Sequence, residues 1–401
     1  MMKIYADKKY QKYCMQKLKK LYKKERPEIQ SVSKGIIANE YKKGFGVFDA
    51  NGNFLKSSAQ NHKGGKCQLI PKFDINDVPY VDENAIYLCH TGHNHFGHFL
   101  LEHINRAWCL LDKRLKDAKI VIVNEKNIDK LPNYVFELLG LLGVKKENII
   151  LLNKTTRFKN VYIPSPAFNM IAFYTDVFAE MYNRMAESVK DTKDVYDKIY
   201  VSRCALPLDR HTFGEEQVQK IFEKNGYKIV YPETMSLEQQ ISLIKNCKYL
   251  AGCAGTALHL ALFMKKGGTV IQIKRNNLLE DNAPVQELVN RAKDLNSIFI
   301  SASLEKVKTT HSTEMPQIIG VTEYMKEFFD KNGFVYDEQD LIVDDAETKS
   351  YQEILSKCLK QKTFGKWLKR RFIHFSSCLI PGRLARKNYR RYLTRVWVNK
   401  Q

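Results

Sequence analysis

No stretch of this 401-residue sequence stays apolar for the roughly eighteen residues a helix needs to cross a bilayer. Its opening, MMKIYADKKYQKYCMQKLKKLYKK, lacks the apolar core of a secretion signal. Both absences point to a cytosolic protein. CxxC pairs are missing too, and nine cysteines scattered as singles make an odd count. Free thiols in a reducing compartment fit that better than a disulfide framework. Internal repeats are lacking, and the only biased stretches are the two ends.

The formal net charge of +21 at first resembles that of a nucleic-acid binder. Its distribution argues otherwise. Residues 1–26 hold ten Lys or Arg against Asp7 and Glu25, and residues 355–401 hold fourteen against no Asp or Glu. The 328 residues between are near −1. A neutral body without a nucleic-acid motif excludes the simplest basic-binder reading, so no nucleic-acid partner is expected.

The length allows two ordinary domains with extensions. Residues 1–30 are predicted as a basic helical extension ended by Pro27, and 31–85 as irregular β structure with a hairpin at Asn51-Gly52. Alternation of strand and helix then begins: strands at 118–124, 148–152 and 160–164, a helix at 133–143 and a long helix at 170–192. A second run follows, with strands at 198–202, 228–232, 249–252 and 269–273. Its helices are predicted at 214–226, 236–247 (with Ser236 and Gln239 as a capping box) and 255–266. The fold class expected is α/β, two Rossmann-like domains facing a cleft, at 31–192 (acceptor side) and 193–335 (donor side). Residues 336–401 form a C-terminal helical tail.

Two segments carry chemistry. Arg203 directly follows the strand KIYVS and Arg210 shares its loop; guanidinium pairs suit a diphosphate. Gly252–Ala257 leads from a strand into a helix, where small residues let backbone N–H groups approach an anion. A surface arginine pair with tight strand–helix packing is the bland alternative. The other segment, CHTGHNHFGHFLLEHINRAW at 89–108, holds His90, His93, His95, His98 and His103. On a helix starting near Asn94, His95, His98 and Glu102 share a face. A His–Glu general base, a zinc site lacking the HExxH spacing, and ordinary half-buried histidines are the competing readings.

The order of these parts resembles glycosyltransferase family 61. The matching elements are Ser202-Arg203, Arg210, Glu215-Glu216, Gly226-Tyr227, Pro232-Glu233, Leu237 with Gln240, and Gly255-Thr256-Ala257-Leu258-His259. FGHFLLE at 96–102 resembles the family's upstream segment, and the likeness covers roughly 85–275. Many members have His-Gly where this chain has Ala254-Gly255. The resemblance implies a GT-B fold, inversion at the anomeric carbon, no metal or other cofactor, a nucleotide-sugar donor and a glycan or lipid-linked glycan acceptor. Bacterial members of this type serve capsule and lipopolysaccharide assembly; plant and animal members build xylan side chains and O-mannosyl glycans.

On this reading His98 and Glu102 are catalytic. Arg203, Arg210, Glu238, Gln239, Gly255, Thr256 and His259 face the donor, and His93, His95 and Arg106 lie on the acceptor side. Residues 364–401 mix basic residues with Trp367, Phe372, Phe375, Tyr389, Tyr392 and Trp397. That composition suits an interfacial helix on the anionic inner face of the cytoplasmic membrane. A scaffold that has lost its base is the rival from another class.

Overall fold

The computed structural model describes residues 2–40, 44–59, 70–91, 95–276, 278–279, 283–304, 315–342 and 344–378, and farther on 386, 389–390 and 392–393. It is a mixed α/β structure with two large sheets. One is six-stranded and wholly parallel, in the order Met2–Tyr5, Asn296–Ser301, Thr269–Lys274, Tyr249–Cys253, Lys198–Val201, Lys228–Val230. Alternate residues of its strands serve two cores: Ile199, Val201 and Leu250 pack on one face, Tyr200, Ala251 and Cys253 on the other. Sheets covered on both faces in this way take near-continuous apolar strands such as YLAGC.

The second sheet runs Gly44–Phe48, Ile36–Glu40, Thr156–Pro164, Tyr80–His90, Lys119–Val123, Ile149–Leu152, with Ile29–Ser33 also on Thr156–Pro164. Its central pairs are parallel. One apolar cluster runs without a break from this sheet to the first, through Leu88, Leu100, Tyr182, Phe263 and Leu250. Helix Asp176–Ser188 lies in that seam: the Tyr182 hydroxyl donates to the Leu100 carbonyl at 2.6 Å and its ring meets Phe263 edge-on.

Several expectations need revision. The N-terminal stretch is not one basic helix. Met2–Tyr5 is the edge strand of the parallel sheet, and helix Lys8–Leu18 buries Tyr10, Cys14 and Leu18 on the body while its lysines face water. Where 31–85 is described, it forms the strands Ile29–Ser33, Ile36–Glu40 and Gly44–Phe48 and the start of Tyr80–His90 rather than irregular β structure. The long helix begins only at Asp176, after a short hairpin at Phe168–Tyr174. Thr256–Phe263 is a 3₁₀ helix, in which residues three apart eclipse. The Ser236–Gln239 capping box is present as expected, with Gln239 Oε1 accepting from the Ser236 N–H at 2.8 Å.

The C-terminal helix, Asp345–Cys378, is docked at its start. Tyr351 and Leu355 are buried against Phe213 and Ile318, and Glu347 accepts from the Gly214 amide. Gly214 has φ +76°, and a Cβ there would run into the Ile319 carbonyl, so only glycine fits. No helix among the described residues is long and apolar enough to cross a membrane.

Candidate active site

After the edge strand Met2–Tyr5, the chain enters the parallel sheet again at Lys198–Val201, steps one way to Lys228–Val230 and then the other way to Tyr249–Cys253. The direction therefore reverses between Lys198–Val201 and Tyr249–Cys253, and ligands of doubly wound sheets bind beyond the strand ends at such a point. Arg203 and Gly255 stand there. A Cβ on Gly255 would lie 3.0 Å from Arg203 Nη1, so the guanidinium rests on the backbone entering the 3₁₀ helix. Beneath it Glu215 is fully buried; its Oε1 accepts from the Arg203 amide at 3.1 Å and the Tyr200 hydroxyl at 3.2 Å. Burial pushes the Glu215 carboxyl up to about 7, against the pull of Arg203 and Arg275.

Arg275, buried at the end of Thr269–Lys274, completes this group and was not foreseen. Burial, with Arg203 as a like charge, brings it down to about 10, so it stays cationic at neutral pH. Its Nε and Nη1, and Arg203 Nε, are buried without a partner among the described residues. Unmatched buried donors are costly unless an anion meets them. The clue in sequence was its place directly after a strand, as for Arg203. Arg210 is exposed, and what it gives Arg203 is its carbonyl, at 3.3 Å from Nη2.

The second cluster lies beyond the adjacent strand ends His90 and Pro164 of the other sheet. Phe96–Leu111 is a continuous helical stretch whose middle, Phe99–His103, is a π turn. Across it His98 Nδ1 meets Glu102 Oε2 at 2.5 Å, both groups little more than a third exposed. A second pair, His90 Nδ1 to Glu125 Oε2 at 2.7 Å, joins it; His90 stacks on Phe45 and meets His103 edge-on. His90, His98, Glu102, His103 and Arg106 line one cavity of about 480 Å³. His95 precedes the helix in extended conformation, exposed, with its ring 5.5 Å from that of His98, and so does not share the helical face expected of it. Arg106 is buried and its N–H groups serve the framework, donating to the carbonyls of Pro164 and Ser57 with its guanidinium over the Tyr87 ring. His93 lies outside the described residues.

The two clusters meet where Gly97 approaches Thr256. A Cβ on Gly97 would come 2.8 Å from Thr256 Oγ1, so glycine lets the helix carrying His98 approach the 3₁₀ helix. His259 eclipses Thr256 one turn on. It is half-buried by area with an enclosed ring, and Nδ1 donates to Gln286 Oε1 at 2.9 Å. Gln286 is oriented by donating to the Leu258 carbonyl and to Asn290 Oδ1, and Asn290 in turn donates to Ser297 Oγ at 2.8 Å. This chain fixes the Nδ1–H tautomer. Burial, with His95 and His98 as neighbours, holds His259 down to about 4, so it is a neutral acceptor near pH 7.

A further cavity of about 350 Å³ spans the same seam, between Phe96 and Tyr134 on one side and Met235, Ser236, Gln240 and Thr256 on the other. Glu238 and Gln239 are exposed on the adjoining helix turn. Among the described residues no three His, Cys, Asp or Glu side chains converge as a metal-binding group.

No curated protein matches the chain in sequence. The family model described as Glycosyltransferase 61 matches residues 96–271, a span that starts beside His98 and takes in Arg203, Glu215, Gly255 and His259. Residues 96–271 are thus a glycosyltransferase family 61 domain, its match running from the histidine cluster through the arginine cluster, and the protein is a glycosyltransferase.

Proposed function

We propose that the protein is an inverting, metal-independent glycosyltransferase of GT-B type, moving a sugar from a nucleotide-sugar donor to a hydroxyl of a capsule or lipopolysaccharide glycan. The observation that carries this reading is the pair Arg203 and Arg275, with unmatched donors buried at the strand ends beside Gly255. They hold the diphosphate, with the Gly255 amide region behind them and Arg210 at the loop's edge. Fixed cations and aligned N–H groups stabilise the leaving diphosphate in the manner otherwise supplied by a divalent ion. The nucleoside occupies the cavity between Tyr134 and Gln240, with Glu238 and Gln239 at its rim.

His98 takes the proton of the acceptor hydroxyl while that oxygen bonds to the anomeric carbon and the carbon–diphosphate bond breaks. Glu102, on Nδ1, orients the ring and stabilises the imidazolium. His259 accepts a hydrogen bond from a donor-sugar hydroxyl; its low basicity unfits it for the proton transfer itself. His98→Ala is expected to lower kcat by about 10²–10⁴-fold with donor affinity retained, and Glu102→Gln by less. Full transfer rates in both variants would remove the pair from the mechanism.

We further propose that the enzyme works at the inner face of the cytoplasmic membrane, a reading supported by the composition of its tail. Leu368, Phe372 and Phe375 recur at i, i+4 and i+7 and are exposed, beside exposed Lys369 and Arg371. Such a face suits anionic lipid. Co-sedimentation with anionic liposomes that is lost on truncation after residue 363, and absent with neutral liposomes, is the expected outcome; binding indifferent to both would overturn it.

A further inference from the structure

We infer that the acceptor carries a negatively charged group, a sugar carboxylate or a phosphate, which Lys24 and Lys56 hold while the reacting hydroxyl faces His98. The inference rests on the cavity beside His98 being the acceptor site. Lys24 and Lys56 come from segments far apart in sequence, yet both line this cavity, and both are exposed. Their backbones are anchored. The Lys24 amide donates to the Tyr174 carbonyl at 2.8 Å, and the buried guanidinium of Arg106 holds the carbonyl of Ser57, next to Lys56.

The cavity's charge is unbalanced. Among the described residues Glu102 is the one carboxylate that lines it, held by His98, while Glu125 stands behind His90. Asp176 pairs with Lys23 at 2.9 Å, on the other side of the strand from its neighbour Lys24. Lys24 instead sits over the Phe173 ring at 4.8 Å, and neither it nor Lys56 has an ion pair among the described residues. Arg106 adds a buried cation whose partners are neutral carbonyls. Three cations and three histidines therefore line the space against the single carboxylate of Glu102 among the described residues, which leaves a net positive charge. A neutral glycan would leave that charge uncompensated; an anionic one is drawn in by it and gripped through charge-assisted hydrogen bonds.

The test uses the full-length protein and three oligosaccharides of one length: neutral, uronic-acid-containing and phosphorylated. Binding is measured by calorimetry, with a nucleotide panel as the donor-side control. At least one charged probe is expected to bind roughly tenfold or more tighter than the neutral one, as charge-assisted contacts to two lysines warrant. The advantage should shrink to about twofold in Lys24→Gln/Lys56→Gln, and also on raising salt from about 0.05 to 0.5 M. Lys24→Arg/Lys56→Arg should restore it. Preference for the uronate identifies a carboxylate as the recognised group; preference for the phosphorylated probe identifies a phosphate. Equal binding of all three probes to the wild-type protein overturns the inference, as does an advantage that survives in the glutamine variant. Failure of the glycosyltransferase reading would look different, as absence of nucleotide binding by the wild type. Unchanged nucleotide binding by the variants shows that they remain folded.

Discussion

The arginine cluster and the histidine cluster occupy equivalent places, each beyond the C-terminal ends of neighbouring parallel strands, yet they are built from opposite chemistry. At the first, the charges sit on guanidinium groups, and the buried Arg275 falls only to about 10. At the second, the charges sit on imidazole–carboxylate pairs, His98–Glu102 and His90–Glu125. A group that must neutralise a leaving diphosphate does best if it never titrates. One that must accept a proton has to. The proposed mechanism uses this contrast, with leaving-group and acceptor chemistry on opposite sides of the Gly97–Thr256 contact.

The sharpest way to break this division is to remove the arginines. Arg275→Ala alone should weaken donor binding about tenfold or more, and Arg203→Ala/Arg275→Ala about 10²-fold or more, at about 1.5–3 kcal/mol for each charged contact. Acceptor binding should hardly change. Titration with nucleoside diphosphate against a glycan probe checks both. Unchanged donor affinity in Arg275→Ala would leave Arg203 without its partner and make the donor side less buried and more ordinary than it looks.

A substitution at the contact sharpens the comparison from the other direction. Gly97→Ala places a methyl 2.8 Å from Thr256 Oγ1, and the two helices must part slightly. Both binding sites survive, so donor and acceptor affinities should stay within about threefold. Transfer depends on their separation, and kcat should fall about tenfold or more, because small misplacements of reacting groups are expensive. A variant with wild-type kcat would mean that the catalytic distance is not set here.

How far this was legible from sequence follows the range of the interactions. The capping box at Ser236 and Gln239 is local and was readable, as were the apolar strands of the second run. Arg203 was readable because it adjoins a clean strand. Tyr80–His90 was not, because its first half, YVDEN, is polar and largely exposed and only AIYLCH is buried. That hid the strand-end position of His90 and its pairing with Glu125, 35 residues on. Met2–Tyr5 is too short to announce itself and gains its partner from residues 296–301. The relay from His259 to Ser297 rests on the fold bringing a helix and a strand together, which no spacing reveals.

That relay gives a smaller effect, on pH dependence. Folded His259 stays neutral down to about pH 4, whereas its ordinary value is 6.5. Between those values the unfolded chain binds the extra proton, so stability is lost as pH falls from 6.5 towards 4 and is fully present above it. The shift is on the order of 3 kcal/mol at pH 4. Urea unfolding at pH 7 and at pH 4.5 should show His259→Asn losing less stability on acidification than the wild type. Equal losses would mean that the ring is solvated and the relay does not hold its tautomer.

The smallest effect separates structure from recognition at Gln239, where one side chain serves both ends of the comparison's donor half. Its Oε1 accepts from the Ser236 amide, so in the proposed mechanism only Nε2 is left for a nucleoside. Gln239→Glu keeps an acceptor for the capping box and removes the amide donor. Stability should then hold within about 0.5 kcal/mol while donor binding weakens a few-fold. Gln239→Ala should instead cost about 1 kcal/mol of stability, because it opens the cap. Denaturation and nucleotide titration on the two variants give four numbers. Donor affinity untouched in Gln239→Glu would reduce Gln239 to a helix cap and leave the nucleoside to the walls of its cavity, Tyr134 and Gln240.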